Sequence, residues 1–379
     1  MGAVRLAVVG TKGIGRKHIE AINAVPGCEL VAICDVDADE AKACGGEFSV
    51  PCYVELDQML AKEHLDAIAI ATPHWYHPSI AIKAFGAGLN VLTEKPMAVT
   101  VEDAEKMIEA SHKHSKMLAV VFQQRAVPMN IKARELIESG AIGEIQRTLL
   151  VAPWFRTNAY YSSGSWRGTW KGEGGGVLLN QAPHSLDLFL WISGIRPSRL
   201  YGKAETVQHR IEVEDRATAL LEYENGATGY LYASTVEAPD NVRMEFAGDK
   251  GRLLLGDKIE LCRLEVSSKE YNETTDEIWG SPKAAWETIE VPVPDRLRQG
   301  HEAVYEDFAD AVSNGRRPMV TGEEGLRSLE LANAITLSSQ RNESVDIPIP
   351  RKAYSELVAL LAGRASRRRR RGTAKTKRM

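Results

Sequence analysis

A short apolar strand, Leu6-Ala-Val-Val9, runs directly into Gly10-Thr-Lys-Gly-Ile-Gly15 and then into a helix carrying His18. Few folds accept that order. A glycine turn between a strand and a helix leaves the N–H groups of the helix start facing outward, where they suit a pyrophosphate. Gly10 permits the turn and Gly15 allows close packing of the helix. The middle glycine of the usual G-x-G-x-x-G pattern is Lys12 here. Either Gly13 lets the backbone approach phosphate in a shifted loop, or Lys12 adds a charge contact. The next apolar run, Glu29 to Cys34, ends on Asp35, 20 residues after Gly15. A carboxylate there accepts hydrogen bonds from an adenosine ribose and repels a 2′-phosphate, and Val36 and Asp37 offer no cation to reverse that preference. The plain alternative is a glycine turn without a ligand. Asp35 weighs against it, so the loop (Gly10, Thr11, Lys12, Gly13, Ile14, Gly15) with Asp35 is expected to bind NAD in preference to NADP.

From Val4 to about Val121, short apolar runs alternate with amphipathic stretches. This is repeating βαβ. Further strands are expected at Ala67–Ala71, Asn90–Leu92 and Met117–Phe122, with helices near Pro78–Ala87 and Val101–His114. Together they make an α/β Rossmann domain, a parallel sheet with helices on both faces and right-handed crossovers. A helix near Asn130–Ser139 follows. Beyond it the runs lengthen and become rich in Thr, Val and Tyr, predicting an α+β C-terminal domain with a large, mainly antiparallel open sheet. Its clearest hairpin pairs Ala217–Tyr223 with Thr228–Ser234 through Asn225-Gly226, a pair suited to the positive φ angles of a tight turn. Helices are expected at Glu302–Ser313 and Glu323–Ser339, and the body closes near Ile347-Pro348-Ile349.

Length and composition agree with two domains: 379 residues, 44% apolar and 26% charged. No apolar run approaches membrane-span length, and Arg5 interrupts the opening segment, which therefore does not read as a secretory signal. Leu6 stands where N-myristoylation requires Ser or Thr. The five cysteines are odd in number and lack C-x-x-C spacing. Buried small apolar residues in a reduced compartment are expected, rather than metal ligands. Nine of the 47 Lys and Arg lie between Arg364 and Met379, leaving a body with 38 basic and 51 acidic residues. The run Arg367–Arg371 could touch nucleic acid, but it reads more simply as a solvated, disordered tail.

Three stretches, Gly10 to His18, Thr72-Pro-His-Trp-Tyr-His77 and Glu94-Lys-Pro96, resemble the glucose-fructose oxidoreductase/inositol dehydrogenase/rhizopine catabolism family. The resemblance covers about Arg5 to Pro350. A Gly-Gly-Gly…His-x-x-Asp segment some eighty residues after Glu-Lys-Pro completes it. It implies an NAD-binding Rossmann domain at residues 1–124 and a substrate-binding and oligomerisation domain at 125–350, whose last helices can pack back on the first. Residues 351–379 form an extension with the basic tail.

The resemblance places Lys95 beside the nicotinamide and the substrate hydroxyl. Hydride leaves carbon only as the hydroxyl proton departs, so a base tuned towards neutrality lowers the barrier. A salt-bridged lysine is the bland reading, which the position after a strand and before Pro96 opposes. In Glu173-Gly-Gly-Gly-Val-Leu-Leu-Asn180-Gln-Ala-Pro-His184-Ser-Leu-Asp187, a helix begins at about Ala182 and makes His184 and Asp187 neighbours. By resemblance His184 faces substrate as acid, base or orienting group, and Asp187 steadies it; a structural histidine is the alternative. Asn180 occupies a slot where aspartate is frequent. An amide exchanges no proton near neutral pH, so Asn180 positions substrate while Lys95 and His184 handle the proton. Which of the two is the base stays open.

Six aromatics fall between Trp154 and Trp170, with Arg156 and Arg167 among them. Flat apolar faces beside polar groups suit a pyranose ring, though ordinary packing explains any single one equally well. Trp154 and Tyr160 are expected at substrate, the Trp166-Arg167 pair near nicotinamide by resemblance, and His301 as a further substrate contact. Thr72 and Pro73 should line the cofactor crevice at a strand's carboxyl end. His74, His77 and Glu94 are expected on the cofactor side; His77 matches a family position, whereas His74 stands where asparagine is more usual, and both histidines have a structural reading.

The expected reaction is hydride transfer between NAD and a secondary alcohol or ketone of a sugar, glycoside or cyclitol, in a cytoplasmic homodimer or homotetramer without a membrane partner, nucleic-acid partner or metal. One alternative is a glycosidase or lyase using tightly bound NAD for transient oxidation and elimination. The other is a non-catalytic NAD-binding regulator, against which the retention of Lys95 and His184 argues.

Overall fold

The computed structural model describes residues 2–294 and 297–376, with side chains as far as 365 in its last helix. The chain divides into two compact units. The first comprises Met1–Ala126, Gly172–Gly174 and Asp295–Leu329, and the second Val127–Lys171, Gly175–Pro294 and Glu330–Met379.

The first unit is built on six parallel strands, β1 (Val4–Val9), β2 (Cys28–Cys34), β3 (Cys52–Tyr53), β4 (Ala67–Ile70), β5 (Asn90–Thr93) and β6 (Leu118–Val120), in the order β3-β2-β1-β4-β5-β6. That is the doubly wound Rossmann order, with its switch point at β1. Helices α1 (Ile14–Ala24), α2 (Ala38–Phe48), α3 (Leu56–Lys62), α4 (His77–Gly86) and α5 (Val101–Lys113) connect the strands. β1 and β4 are buried almost throughout, as the unbroken apolar runs of a sheet covered on both faces require. α1 buries Gly15, His18, Ile19 and Ile22, one stripe at helical spacing. Removing Ile19 or Ile22, both fully buried, costs about 2–5 kcal/mol per truncation to Ala. The strands and helices expected from the sequence are present within one or two residues at most ends. α2, β3 and α3 are additional; β3 and α3, of two residues and two turns, give too little periodicity to read.

The second unit carries nine strands, β7 (Ile145–Pro153), β8 (Pro197–Glu205), β9 (Arg216–Tyr223), β10 (Thr228–Ser234), β11 (Arg243–Gly248), β12 (Gly251–Leu255), β13 (Ile259–Leu264), β14 (Ala284–Ile289) and β15 (Val345–Asp346). Their order is β14-β13-β12-β11-β7-β10-β9-β8-β15, and only β7 and β10 pair in parallel. Helices α6 (Pro128–Glu138), α7 (Asn158–Ser162), α8 (Pro183–Ser193) and α9 (Ser268–Thr274) belong to this unit. Strand alternation is plain in β9, where Ala217, Ala219, Leu221 and Tyr223 are buried while Leu220 is 59% exposed. α8 lies on the buried face, its Phe189 stacked on Phe246 of β11 with ring centroids 5.8 Å apart.

The β9–β10 hairpin forms in the expected register, but its turn differs. Only Gly226 has positive φ, at 82°, and Asn225 does not. Tyr223 N–H donates to the Ala227 carbonyl and Gly226 N–H to the Tyr223 carbonyl. This longer loop places a left-handed glycine after an ordinary turn. Asn225 instead uses its amide, donating to the Ile145 carbonyl at 3.0 Å and accepting from Ala227 N–H at 3.1 Å.

Three helices complete the chain: α10 (Gly300–Asn314), α11 (Gly322–Arg341) and α12 (Arg351–Thr376). Tyr305 and Phe308 of α10 are buried in the first unit's core with Leu6, Val8, Ile19 and Ile22. A C-terminal extension over residues 351–379 with a solvated, disordered basic tail was expected. It is helical to Thr376, anchored by buried Tyr354 and Val358 one turn apart, and its Ala, Leu and Arg content favours helix. The side chains of Arg367–Arg371 lie outside the described residues. Among the described residues no helix is long and apolar enough to cross a membrane.

Candidate active site

The glycine loop leaves β1 and enters α1 through Gly13, which takes φ 55°. A Cβ at Gly13 would meet nothing within 4 Å, so the space in front of this backbone is open. A Cβ at Gly15 would lie 2.0 Å from the Gly10 carbonyl oxygen, so that position accepts only glycine. No side chain caps α1 and no acidic residue occupies its first turn. An open, uncapped helix start fits a pyrophosphate. Lys12 does not extend over this space: its ammonium lies 2.6 Å from Asp37 Oδ2. Of the two groups the loop offers, Gly13 faces open space while Lys12 is paired with Asp37.

Asp35, at the end of β2, is held at both oxygens. Oδ2 accepts from Thr11 N–H at 2.9 Å and from the Thr11 hydroxyl at 3.0 Å, and Oδ1 accepts from Asp37 N–H at 3.0 Å. Its orientation is thereby fixed with acceptor capacity left for a ribose hydroxyl. At the end of β4, the buried Thr72 hydroxyl has no protein partner, an orphaned polar atom that a ligand in the crevice would satisfy. These features fit an NAD molecule.

Two histidines hold the segment after β4. His74 is buried, and its Nδ1–H donates to the Glu173 carbonyl at 3.0 Å. Burial, with the nearby His77 and Lys95, pushes its pKa down to about 3, so the ring is neutral. His77 faces the Thr72 carbonyl at 2.7 Å through Nε2 and the Pro96 carbonyl at 3.0 Å through Nδ1. Burial lowers its pKa despite those two carbonyls, and a neutral ring donates to only one of them. His77 thus spans the Thr72 and Pro96 segments. Both histidines, expected at the cofactor, are buried structural supports of the strand ends that would line it.

Behind the strand end at Thr93, Glu94 is buried and collects three donors. Its Oε1 accepts from His18 Nε2 and His301 Nε2, each at 3.1 Å, and its Oε2 accepts from Lys95 N–H at 3.0 Å. Tyr305 donates its hydroxyl to His18 Nδ1 at 2.7 Å, which leaves the His18 proton on Nε2 for Glu94. Burial alone would raise the Glu94 pKa. The bonds from His18 and His301 and the charge of Lys95 outweigh it and hold the carboxyl well below the ordinary range. His18, Glu94 and His301 are the one histidine and carboxylate group, among the described residues, whose atoms lie close enough to hold a metal, within 4.8 Å. The same contacts are complete as hydrogen bonds. His301, expected at substrate, is placed against Glu94. Lys95 itself is half-buried.

In the second unit, Gly175–Asn180 runs close beside the β8–β9 loop. A Cβ at Gly176 would lie 1.8 Å from the Glu214 carbonyl oxygen. Buried Glu214 Oε1 accepts from Gly176 N–H at 2.9 Å and Leu178 N–H at 3.1 Å. This brings the chain to α8, where Pro183 opens the helix, His184 is half-buried and Asp187 is buried one turn on. Tyr160 is a hub: its hydroxyl accepts from Asn180 Nδ2 at 3.1 Å and Gln181 Nε2 at 3.0 Å, and from Arg167. The Arg167 guanidinium lies over the rings of Tyr160 and Trp166, 4.4 and 4.5 Å from their centroids. Trp154 presents a buried indole N–H with no protein partner. Trp170 and Tyr161 are core.

Of the residues expected at the site, the structure brings together Thr11 with Asp35 in the first unit and Tyr160, Trp166, Arg167 and Asn180 in the second. Sequence reasoning missed Glu214, Tyr305 and Asp215. Asp215 is fully buried and accepts from the N–H groups of Val207, Gln208 and His209. In the sequence, Glu212-Val-Glu-Asp215 looks like a solvated acidic loop. Tyr305 had a faint signal, four residues after His301 on a helical stripe.

The comparisons agree with this geometry. Residues 4–122 match the model described as an oxidoreductase family with an NAD-binding Rossmann fold, and residues 130–254 match the GFO/IDH/MocA C-terminal domain. D-apiose dehydrogenase of Paraburkholderia graminis is 27% identical over 361 residues, covering 90% of this chain and 89% of that protein. The scyllo-inositol 2-dehydrogenase (NAD(+)) of Bacillus subtilis is 24% identical, covering 93% and 98%. The WlbA dehydrogenase of Bordetella pertussis, solved in complex with NADH and UDP-GlcNAcA, is 30% identical with a TM-score of 0.78 over 92% of this chain and 100% of that one. With both domain models matched in order and a relative of this likeness along its whole length, the chain belongs to the Gfo/Idh/MocA oxidoreductase family.

Proposed function

We propose that this protein is an NAD-dependent dehydrogenase acting on a secondary alcohol or ketone of a sugar, glycoside or cyclitol. The observation that carries the reading is the Glu94–Lys95 turn, set by two histidines at the end of a strand in an NAD-type Rossmann unit. The relatives named above, dehydrogenases of apiose and scyllo-inositol among them, support the substrate class.

NAD would be held by Gly10, Thr11, Gly13, Ile14 and Gly15 at the pyrophosphate, with Lys12 beside them. Asp35 would take the ribose, and Thr72 and Pro73 the crevice wall, backed by His74, His77 and Glu94. Trp166 and Arg167 serve the nicotinamide end. When bound, the cofactor supplies hydride acceptance in oxidation and hydride donation in reduction. The chain's own residues move the proton. Lys95 or His184 takes it from the substrate hydroxyl in oxidation and returns it in reduction. Asn180 donates and accepts hydrogen bonds without exchanging a proton, and so orients substrate, with Asp187 supporting His184. Trp154 and Tyr160 offer aromatic faces and His301 a further contact through its place beside Glu94.

Exposed apolar residues on β8, β9 and β14, namely Tyr201, Leu220 and Trp286, support a homodimer or homotetramer. Five free thiols support a cytoplasmic location, with Cys28 and Cys34 pushed up by burial to about 12 and about 11 and therefore unreactive.

The test is a fluorescence titration with NAD+ and NADP+, followed by a panel of polyols, glycosides and cyclitols watched at the NADH band. Tighter binding of NAD+ and NADH growth with one substrate class are expected. Tight NAD+ binding with no NADH growth over a broad panel would move the assignment to a bound-cofactor lyase or a regulator.

A further inference from the structure

Lys12 of the glycine loop and Arg16 of α1 are each engaged by carboxylates near Asp35. Lys12 meets Asp37 at 2.6 Å, and Arg16 meets Glu40 at 3.5 Å and also pairs with Glu47. These two cations stand beside Asp37, Glu40 and Glu47, and Asp35 lies in the same carboxylate-rich stretch. The Lys12–Asp37 pair is solvent-exposed, with the two side chains 60% and 43% accessible. The pair acts mainly by keeping the Lys12 charge beside a carboxylate, since an exposed ion pair is only loosely held.

A 2′-phosphate attaches at the ribose oxygen whose hydroxyl normally donates to the carboxylate at the end of β2. Lys12 stands within the field of both Asp35 and Asp37. It is therefore a cation near the phosphate position whose charge is masked. We propose that Asp37 is a cofactor-specificity residue: by holding Lys12 it withholds from a 2′-phosphate the one ammonium of the glycine loop, and so reinforces the NAD preference set by Asp35. This rests on the NAD-binding reading above.

Asp37 has a second task that decides the choice of variant. Its Oδ1 accepts from Glu40 N–H at 3.2 Å and caps α2. Asparagine caps a helix as well as aspartate does and carries no charge, so Asp37→Asn removes the mask while keeping the cap.

The experiment measures Kd for NADP+ and NAD+ on the cofactor-free protein by calorimetry, and reads their ratio. In Asp37→Asn the ratio should fall about tenfold, because a negative charge is removed and an ammonium released beside the phosphate. Lys12→Ala alone should raise the ratio. Adding Lys12→Ala to Asp37→Asn should abolish the gain. A ratio within twofold of wild type in Asp37→Asn, or a gain that survives in the double variant, overturns the proposal. Wild-type protein that binds neither dinucleotide would overturn the NAD-binding reading instead, a separate outcome.

Discussion

Two glycine segments in this protein face the same steric demand and were not equally readable. At Gly15 a side chain would strike the carbonyl oxygen of Gly10, five residues earlier; at Gly176 it would strike that of Glu214, 38 residues later. In the first case clash, turn and helix start lie within one short stretch, so the sequence carries the whole explanation. In the second, half of the explanation is a buried carboxylate in another loop. Chemistry closed within a turn of chain can be inferred from spacing, whereas chemistry closed across a fold cannot.

The contrast can be broken by removing the distant partner. Glu214→Ala leaves the buried N–H groups of Gly176 and Leu178 without their acceptor, and should cost about 2–5 kcal/mol in denaturant unfolding. Glu214→Gln, which keeps an acceptor oxygen, should recover at least half of that loss. If the Ala variant unfolds at the wild-type midpoint, the second segment does not depend on Glu214.

A smaller effect sharpens the comparison from the first unit. The pKa of His74 falls from 6.5 to about 3 on folding because burial penalises its charge. Between those values the unfolded chain binds the extra proton, so wild-type stability should decline as pH drops from about 6.5, by about 1–3 kcal/mol at pH 4. His74→Asn lacks this titration and should show a flatter acid limb in thermal melts between pH 7 and 4. An unchanged limb would mean that His74 is not buried neutral.

The same distinction accounts for what the sequence disclosed elsewhere. The parallel sheet was legible because strands such as Leu6–Val9 and Ala67–Ile70 are unbroken apolar runs, and α1 because its stripe at Gly15, His18, Ile19 and Ile22 has helical period. Asp35 was legible by its place at the end of β2. Asn225-Gly226 announced a hairpin correctly but not its turn, since the Asn225 amide bonds to Ile145 of a different strand. Lys12 was ambiguous for a related reason: its partner Asp37 is near in sequence, yet only the folded loop brings the two within 2.6 Å. Glu94 was expected only on the cofactor side, from its place before Lys95. The network that makes it more than that draws His18 from α1 and His301 and Tyr305 from α10, some two hundred residues on, a convergence no local pattern encodes. Asp215 and Glu214 were hidden because acidic residues in a loop ordinarily mean solvent.

The proposed function rests on Lys95 or His184 moving the substrate proton in an NAD-dependent hydride transfer, and Lys95, beside Glu94, is the first of the two to remove. The most direct test is single-turnover NADH formation by Lys95→Ala, set against wild type with the same substrate over a range of pH. The account predicts a loss of about 10²–10⁴-fold in the hydride-transfer rate, while the variant still binds NAD+ in a fluorescence titration. A Lys95→Ala enzyme that forms NADH at the wild-type rate and with the wild-type pH profile would contradict it.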